Sequence, residues 1–165
     1  MSKAFTRELD DSDSEVPSPL RPHLPPGTRN FITRAGADRL RQRLSALLEK
    51  KQALSTSANE ADRRKLESAI RILQQTLDSV IVAEIPADRE KVAFGATVAI
   101  RHGNGEEDSY QIVGVEEANP EHGSISWISP LARALLYRRP GDKIQFRSPA
   151  GTEELTILTV HYLAL

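Results

Sequence analysis

Two short series of apolar residues with heptad spacing constrain this fold more than any other feature of the sequence. Lys51 interrupts the first series, which otherwise consists of Leu40, Leu44, Leu47 and Leu54. The second series consists of Leu66, Ile70, Leu73, Leu77 and Val80. Steps of four and three residues place side chains along one stripe of an α-helix. Two short stripes joined by a polar turn can bury each other only by folding back, so the sequence predicts an antiparallel coiled-coil hairpin.

Local signals predict where the helices of this hairpin begin and end. Thr33 follows two apolar residues and is predicted to be the N-cap of the first helix. Ser57 and Glu60, three residues later, match a capping box that would open the second helix. Pro86 is predicted to end the second helix, because proline cannot continue the hydrogen-bond ladder.

The remainder of the chain is predicted to form strands. Residues 92–100 are rich in β-forming side chains and run into Gly103-Asn104-Gly105, which is a hairpin turn signal. Further strands are predicted at 109–115, 124–128, 143–147 and 153–162. One short helix is predicted from Leu131 to Tyr137, opened by Pro130. The fold class is therefore α+β, with a tail at residues 1–30, a hairpin at 31–85 and a β-rich domain at 86–165.

The charge pattern divides the chain in the same way. The net charge of −1 arises from 22 Lys and Arg against 23 Asp and Glu, which argues against a general coat for nucleic acid. Residues 1–20 carry −3, residues 21–32 carry +2, residues 33–84 carry +3 and residues 85–165 carry −3. The acidic, proline-rich tail is predicted to be disordered. No run of apolar residues is long enough for a membrane span and no secretory leader is visible, which favours a cytoplasmic protein.

The residue types needed for autonomous catalysis do not occur in a usable pattern. The chain has no cysteine, and its four histidines have no metal-ligand spacing. Ser129 lacks the glycines of a nucleophile elbow. We therefore expect a protein that is not an enzyme and has no cofactor of its own.

The tip of the hairpin carries two acidic residues, Glu60 and Asp62. Two carboxylates on a stalk could share a Mg²⁺ ion with a partner, or they could simply complement the dipole of their helix. Basic residues follow the hairpin and could steer it into an acidic or nucleic-acid-lined channel, or could form a solvated face. The channel-facing candidates are Lys50, Lys51, Arg63 and Arg64.

Several ordered motifs resemble the GreA/GreB-like family of Gre transcription elongation factors. In the C-terminal part these are FGATV at 94–98, YQIVG at 110–114, ISWISPLARALL at 125–136, PGD at 140–142 and SPAG at 148–151. ITRAGADRL at 32–40 is similar to the start of the family's coiled coil, and MSKAFTRE at 1–8 resembles the opening of some GreB-like members. The resemblance covers about residues 30–165.

This resemblance implies an FKBP-like C-terminal domain that docks on bacterial RNA polymerase at the rim of the secondary channel. It implies that the coiled coil enters the channel, where acidic tip residues help to hold a Mg²⁺ ion that hydrolyses backtracked RNA. DNA and RNA would be met only indirectly, through the transcription complex. The polymerase-binding residues implied by the motif matches are Ser129, Pro130, Ala132, Arg133 and Arg138.

The chain departs from the family pattern at the tip, in the stalk and at the docking loop. Only NEAD at 59–62 approaches the family's acidic tip motif, and Ile128 stands where an Asp or Asn usually precedes Ser-Pro. The hairpin is short by about 18 residues, or about 13 Å of reach at 1.5 Å per residue. Carboxylates displaced that far cannot bind the polymerase metals, since oxygen ligands lie at about 2.0–2.6 Å from Mg²⁺ or Ca²⁺.

The leading hypothesis is therefore a polymerase-binding elongation regulator with a shortened coiled coil and no cleavage stimulation. Three alternatives stay open. The first is an active cleavage factor that uses Glu60 and Asp62 with Mg²⁺ shared with the polymerase. The second is a regulator of the nucleoside diphosphate kinase type, and the third is an FKBP-like prolyl isomerase, for which only fold analogy speaks.

Overall fold

The computed structural model describes residues 24–54 and 59–163. The predicted disordered tail lies largely outside the described residues, as does Ser57 of the predicted capping box. Among the residues described, no helix is both long and apolar enough to cross a lipid bilayer.

Two helices of 20 residues each form the predicted hairpin. The first, α1, spans Arg34–Ala53, and the second, α2, spans Glu60–Ser79. At 1.5 Å per residue each helix is about 30 Å long. Thr33 is the N-cap of α1, as predicted, and its side chain accepts a hydrogen bond from the Gly36 amide at 2.9 Å.

The hairpin is held by a narrow seam. On α2 three residues of the predicted stripe are buried, Leu66, Ile70 and Leu73. Thr76 is buried where Leu77 was predicted to be, Leu77 is half-buried, and Val80 lies beyond the end of the helix. The facing leucines of α1 are only half-buried, because no third helix covers them within the described chain. Near the tip, Nζ of Lys51 lies 3.2 Å from Oε1 of Glu67, which joins the end of α1 to the beginning of α2. This ion pair fits the antiparallel arrangement.

The second helix does not begin with the predicted capping box. Its N-cap is Asn59, whose Oδ1 accepts a hydrogen bond from the Ala61 amide at 3.1 Å. Asparagine is among the strongest N-cap residues, and here it caps the helix two residues beyond Ser57. Glu60 is consequently the first residue of α2 instead of the third position of a capping box.

The second helix also ends before the predicted position. It stops at Ser79, seven residues short of Pro86, because the β-branched run Val80–Val82 forms a strand, β2. This strand pairs in parallel with β1, Asn30–Ile32, which precedes α1. The prediction that Pro86 ends the helix was therefore wrong, and a short two-stranded sheet closes the base of the hairpin.

The C-terminal part is a five-stranded mixed sheet with the strand order β5-β4-β3-β7-β6. All neighbouring pairs are antiparallel except β4 and β5. The strands are β3 at Ala96–His102, β4 at Glu107–Val113, β5 at Ser124–Ser126, β6 at Lys143–Ser148 and β7 at Gly151–Tyr162. One short helix, α3 at Pro130–Leu135, lies between β5 and β6 in sequence. The predicted α+β class is confirmed.

One face of this sheet packs with α3 to form the core. Alternate residues of β3 point into it, so Ala96, Val98 and Ile100 are fully buried. Ala132 and Leu135 of α3 are also fully buried in this cluster. The helix is thereby fixed on the sheet, and its outer surface remains available to solvent.

Candidate functional site

The acidic residues at the tip stand in the first turn of α2. Glu60 is 65% exposed, and its Oε1 accepts a hydrogen bond from Nε of Arg64 at 3.1 Å. Asp62 is exposed as well. In the part of the chain that the structure describes, no group of three or more His, Cys, Asp or Glu side chains is arranged to hold a metal ion. The tip therefore offers two exposed carboxylates, one of which is already paired with an arginine.

The four predicted channel-facing cations divide into two kinds. Lys51 and Arg64 are engaged in ion pairs with Glu67 and Glu60. Lys50 forms no ion pair among the described residues and is exposed in the last turn of α1, where a positive charge complements the helix dipole. Arg63 is half-buried. The hairpin thus presents fewer free positive charges near its tip than the sequence suggests.

The predicted docking residues lie on and beside α3. Ser129 is the N-cap, and its Oγ accepts a hydrogen bond from the Ala132 amide at 3.2 Å. Pro130 occupies the first helical turn, where the missing amide hydrogen is of no consequence. Pro130, Arg133 and Arg138 are exposed. Ala132 is fully buried, so its contribution is to seat the helix in the core and not to touch a partner.

The residue before the Ser-Pro pair is part of the turn that leads into α3. Ile128 is half-buried, and its amide donates to Oγ of Ser126 at 3.4 Å. Its side chain offers no polar group where the resemblance implies an Asp or Asn. The exposed polar contacts of this segment therefore come from residues that follow the Ser-Pro pair.

A buried carboxylate that the sequence analysis missed joins the hairpin to the β domain. The Glu117 side chain is only 3% exposed. Its Oε2 accepts hydrogen bonds from the amides of Thr33 at 2.8 Å and Gly114 at 3.2 Å. Its Oε1 accepts from the Thr33 hydroxyl, and from Nη2 of Arg39 at 3.1 Å. One carboxylate thus binds the N-cap and second turn of α1 and the end of β4.

Two glycines make room for this carboxylate. A Cβ atom at Gly36 would overlap the carboxyl group of Glu117, and a Cβ atom at Gly114 would overlap the backbone oxygen of Phe31. The close approach of two backbones therefore requires glycine at position 114, whereas a Cβ atom at position 36 would displace the carboxylate itself. No pattern in a single sequence points to this contact, because Thr33 and Glu117 are 84 residues apart.

Aromatic rings reinforce the same joint. The ring of Phe31 on β1 lies 5.9 Å from that of Phe94 and 5.7 Å from that of Trp127, measured between centroids. The Phe31 and Trp127 rings meet edge to face at 70°. Such offset and edge-on pairs stabilise beyond the area that they bury. The base of the hairpin is thus fixed to the β domain by both polar and apolar contacts.

His102 lies between two carboxylates in the β domain. Its Nδ1 lies 2.9 Å from Oε2 of Glu153 on β7, and its Nε2 lies 2.9 Å from Oδ2 of Asp108 on β4. The hydrogen bond to Glu153 is the main reason why the pKa of His102 is raised above 6.5; burial opposes this and Asp108 adds to it. Both ring nitrogens are occupied by carboxylates, so this histidine links three strands and is not free to act as a base.

Comparison with known proteins identifies related sequences over most of the chain. The sequence model for the family described as transcription elongation factor GreA/GreB, C-term, matches residues 86–162. Transcription elongation factor GreB of Neisseria meningitidis is 35% identical over 158 residues, covering 84% of this chain and 97% of the relative. GreB of Pseudomonas aeruginosa is 34% identical over 164 residues, covering 88% and 97%. GreA of Chloroflexus aurantiacus is 35% identical over 150 residues, covering 79% and 96%.

Two solved structures are also similar to this chain. Gfh1, a GreA factor homologue of Thermus thermophilus, is 26% identical, with a TM-score of 0.40 and coverage of 81% of this chain and 99% of that one. A GreA/GreB elongation factor of Nitrosomonas europaea is 24% identical, with a TM-score of 0.41 and coverage of 82% and 99%.

The alignments also measure a difference in length. Because 84% of the 165 residues is about 139, about 19 of the 158 residues aligned with the Neisseria protein have no counterpart in this chain. The alignment with the Pseudomonas protein gives the same figure, since 88% of 165 is about 145 out of 164. This deficit is close to the shortening that the two apolar seams predict.

Proposed function

Because this chain belongs to the GreA/GreB transcription elongation factor family, we propose that it regulates elongation by binding at the rim of the polymerase secondary channel without stimulating transcript cleavage. The partner is bacterial RNA polymerase, so the protein acts in the cytoplasm. The observation that carries the proposal is the length of the hairpin, whose helices have only 20 residues each.

The missing residues are assigned to the hairpin. The family model matches residues 86–162, so the β domain is present as a unit, and both apolar seams are short. Removing about 19 residues from two helical arms shortens the reach by about 14 Å. Mg²⁺ needs oxygen ligands at about 2.0–2.1 Å, and a carboxylate held that far back cannot supply one.

The environment of the tip acids supports the same conclusion. Glu60 accepts a hydrogen bond from Arg64 of the same helix. Asp62 lies two residues after Glu60, in the same first turn of α2. Acidic residues in a first turn stabilise the helix through its dipole. Their arrangement is explained by helix formation and needs no metal.

The docking segment supplies the binding function. α3 is seated in the core by Ala132 and Leu135, which fixes the position of its exposed residues. Pro130 and Arg133 lie on that exposed side of a helix whose start is set by the Ser129 cap. A rigid, exposed element of this kind can contact a protein partner with little loss of conformational entropy.

Two assays on the full chain test the proposal. In the first, labelled protein is titrated with core RNA polymerase, and we expect it to bind. Arg133→Ala should weaken this binding, whereas the control variant Arg147→Ala, on β6, should not. In the second, the protein is added to a stalled, backtracked complex, and we expect no acceleration of RNA trimming. Absence of binding at micromolar concentration would contradict the docking proposal. Faster trimming that is lost in Glu60→Ala but kept in Asp78→Ala would instead establish the cleavage alternative.

A further inference from the structure

Tyr137 has an unusual backbone for a bulky residue. In residues 24–54 and 59–163 it is the one non-glycine position with positive φ, at 69°, and its side chain is 71% exposed. A Cβ atom is disfavoured in this left-handed region, and an exposed ring gains little by burial in return. The backbone of Tyr137 is therefore strained, and burial of its side chain within the chain does not offset this strain.

The fold needs the backbone turn at this point but not the ring. The Tyr137 amide donates to the carbonyl oxygen of Val92 at 2.8 Å, and the Val92 amide donates to that of Arg138 at 2.8 Å. These two hydrogen bonds hold the chain reversal that follows α3. Glycine would adopt the same φ without strain. An aromatic residue in a strained, solvent-facing position is typical of a functional surface.

The surroundings of the ring indicate which chemistry it would meet. Nζ of Lys91 lies 5.2 Å from the ring centroid, in cation–π distance. Arg138, the next residue along the chain, is exposed, and neither cation forms an ion pair within the described residues. We name Lys91, Tyr137 and Arg138 the Tyr137 patch. It combines an aromatic ring with two uncompensated positive charges.

We propose that the Tyr137 patch is an anchor that contacts an acidic surface of RNA polymerase beside the α3 docking contact. This inference rests on the proposed function. Tyrosine and arginine are the residue types that most often dominate binding energy at protein interfaces. Tyr137 lies two residues beyond the end of α3, so the surface that the patch meets is the one that binds at α3. The two positive charges of the patch complement carboxylates on that protein surface.

Substitutions at position 137 separate the role of the ring from that of the backbone. Tyr137→Gly removes the ring and relieves the strain, so we expect an unchanged or raised Tm. We expect its affinity for core polymerase to fall about 5- to 30-fold. Tyr137→Phe keeps the ring and should bind like the wild type. Tyr137→Asn tolerates positive φ and should behave like Tyr137→Gly. Arg138→Gln should weaken binding, whereas Arg147→Gln, at an exposed arginine on β6, should not.

Each other outcome overturns the inference in a distinguishable way. If Tyr137→Gly binds polymerase as tightly as the wild type, the anchor role of the Tyr137 patch is overturned while the proposed function stands. A wild-type protein that does not bind polymerase overturns both. A loss of binding that follows a lowered Tm in both Tyr137→Gly and Tyr137→Asn shows a structural role only. Unchanged polymerase affinity with reduced binding to single-stranded RNA assigns the patch to nucleic acid and also overturns the proposal.

Discussion

Each helix of the hairpin has a carboxylate at its N-terminus, but the two helices obtain it differently. The second helix, α2, carries its own acids in the first turn, Glu60 and Asp62, and these are exposed at the tip. The first helix, α1, has no acidic residue in its first turn. Glu117 of the β domain occupies the corresponding place, buried against the Thr33 cap. At the base of the hairpin the β domain supplies the carboxylate, whereas at the tip the helix supplies its own.

The difference shows where this chain is built to be rigid. A buried carboxylate is tolerated only when donors satisfy its oxygens, and Glu117 receives four hydrogen bonds. Glu60 needs no such support, because water solvates it. The tightly organised polar contacts therefore fix the hairpin to the β domain. The tip acids serve mainly their own helix.

The largest effect is expected at the glycine where two backbones meet. Gly114→Ala places a Cβ atom against the carbonyl oxygen of Phe31, which belongs to the backbone and cannot rotate away. We expect a loss of about 3 kcal/mol in the free energy of unfolding, measured with denaturant. Gly103→Ala is the matched control, since its Cβ would meet only the Glu154 oxygen at 3.7 Å. Equal stability of the two variants would show that the joint is looser than the structure indicates.

A smaller effect is expected from the carboxylate itself. Glu117→Gln replaces one acceptor oxygen by an amide donor, which faces either Nη2 of Arg39 or both amides of Thr33 and Gly114, and we expect a loss of about 2 kcal/mol. Hydrogen exchange of these two amides should accelerate, while that of the β3 core amides should change less. Glu121→Gln, at an exposed acid nearby, is the control. Unaltered exchange at Thr33 would contradict the assignment of Glu117 as the link between hairpin and domain.

The smallest effect is expected at the tip. Glu60→Ala removes an exposed ion pair with Arg64, and such pairs contribute about 0.5 kcal/mol or less. Unfolding and polymerase affinity should therefore be nearly those of the wild type. A fall in stability comparable to that of Glu117→Gln would remove the contrast between tip and base. It would mean that the tip is more organised than its exposure indicates.

Periodic features of the chain were predictable from sequence, and contacts distant along the chain were not. The 4-3 spacing predicted both helices because it reflects a local helical geometry, and Thr33 was recognised as a cap for the same reason. The parallel pairing of β1 with β2 was missed, since strands of three residues form only when tertiary structure brings them together. The end of α2 was misplaced at Pro86 because Val80–Val82 forms a strand through that same pairing.

Candidate site residues show the same division. The exposed Pro130 and Arg133 were indicated by a motif in one continuous segment. The motif also included Ala132, whose burial in the core only the folded structure reveals. Glu117 carries no local signature, because three of its four hydrogen bonds come from Thr33 and Arg39, about 80 residues earlier. Tyr137 is an ordinary tyrosine in the sequence and becomes distinctive only through its positive φ.

The parallel pair at the base has a consequence for how such proteins diversify. Because Phe31 stands opposite Ile81 and Ile32 opposite Val82, the chain enters and leaves the hairpin at neighbouring points. The two helices between these strands therefore start and finish at adjacent positions on the β domain. Matched lengths of helix can be removed from both arms, or added to them, while the entry and exit points keep their positions. The length of the hairpin can therefore change without any change in the β domain that carries it.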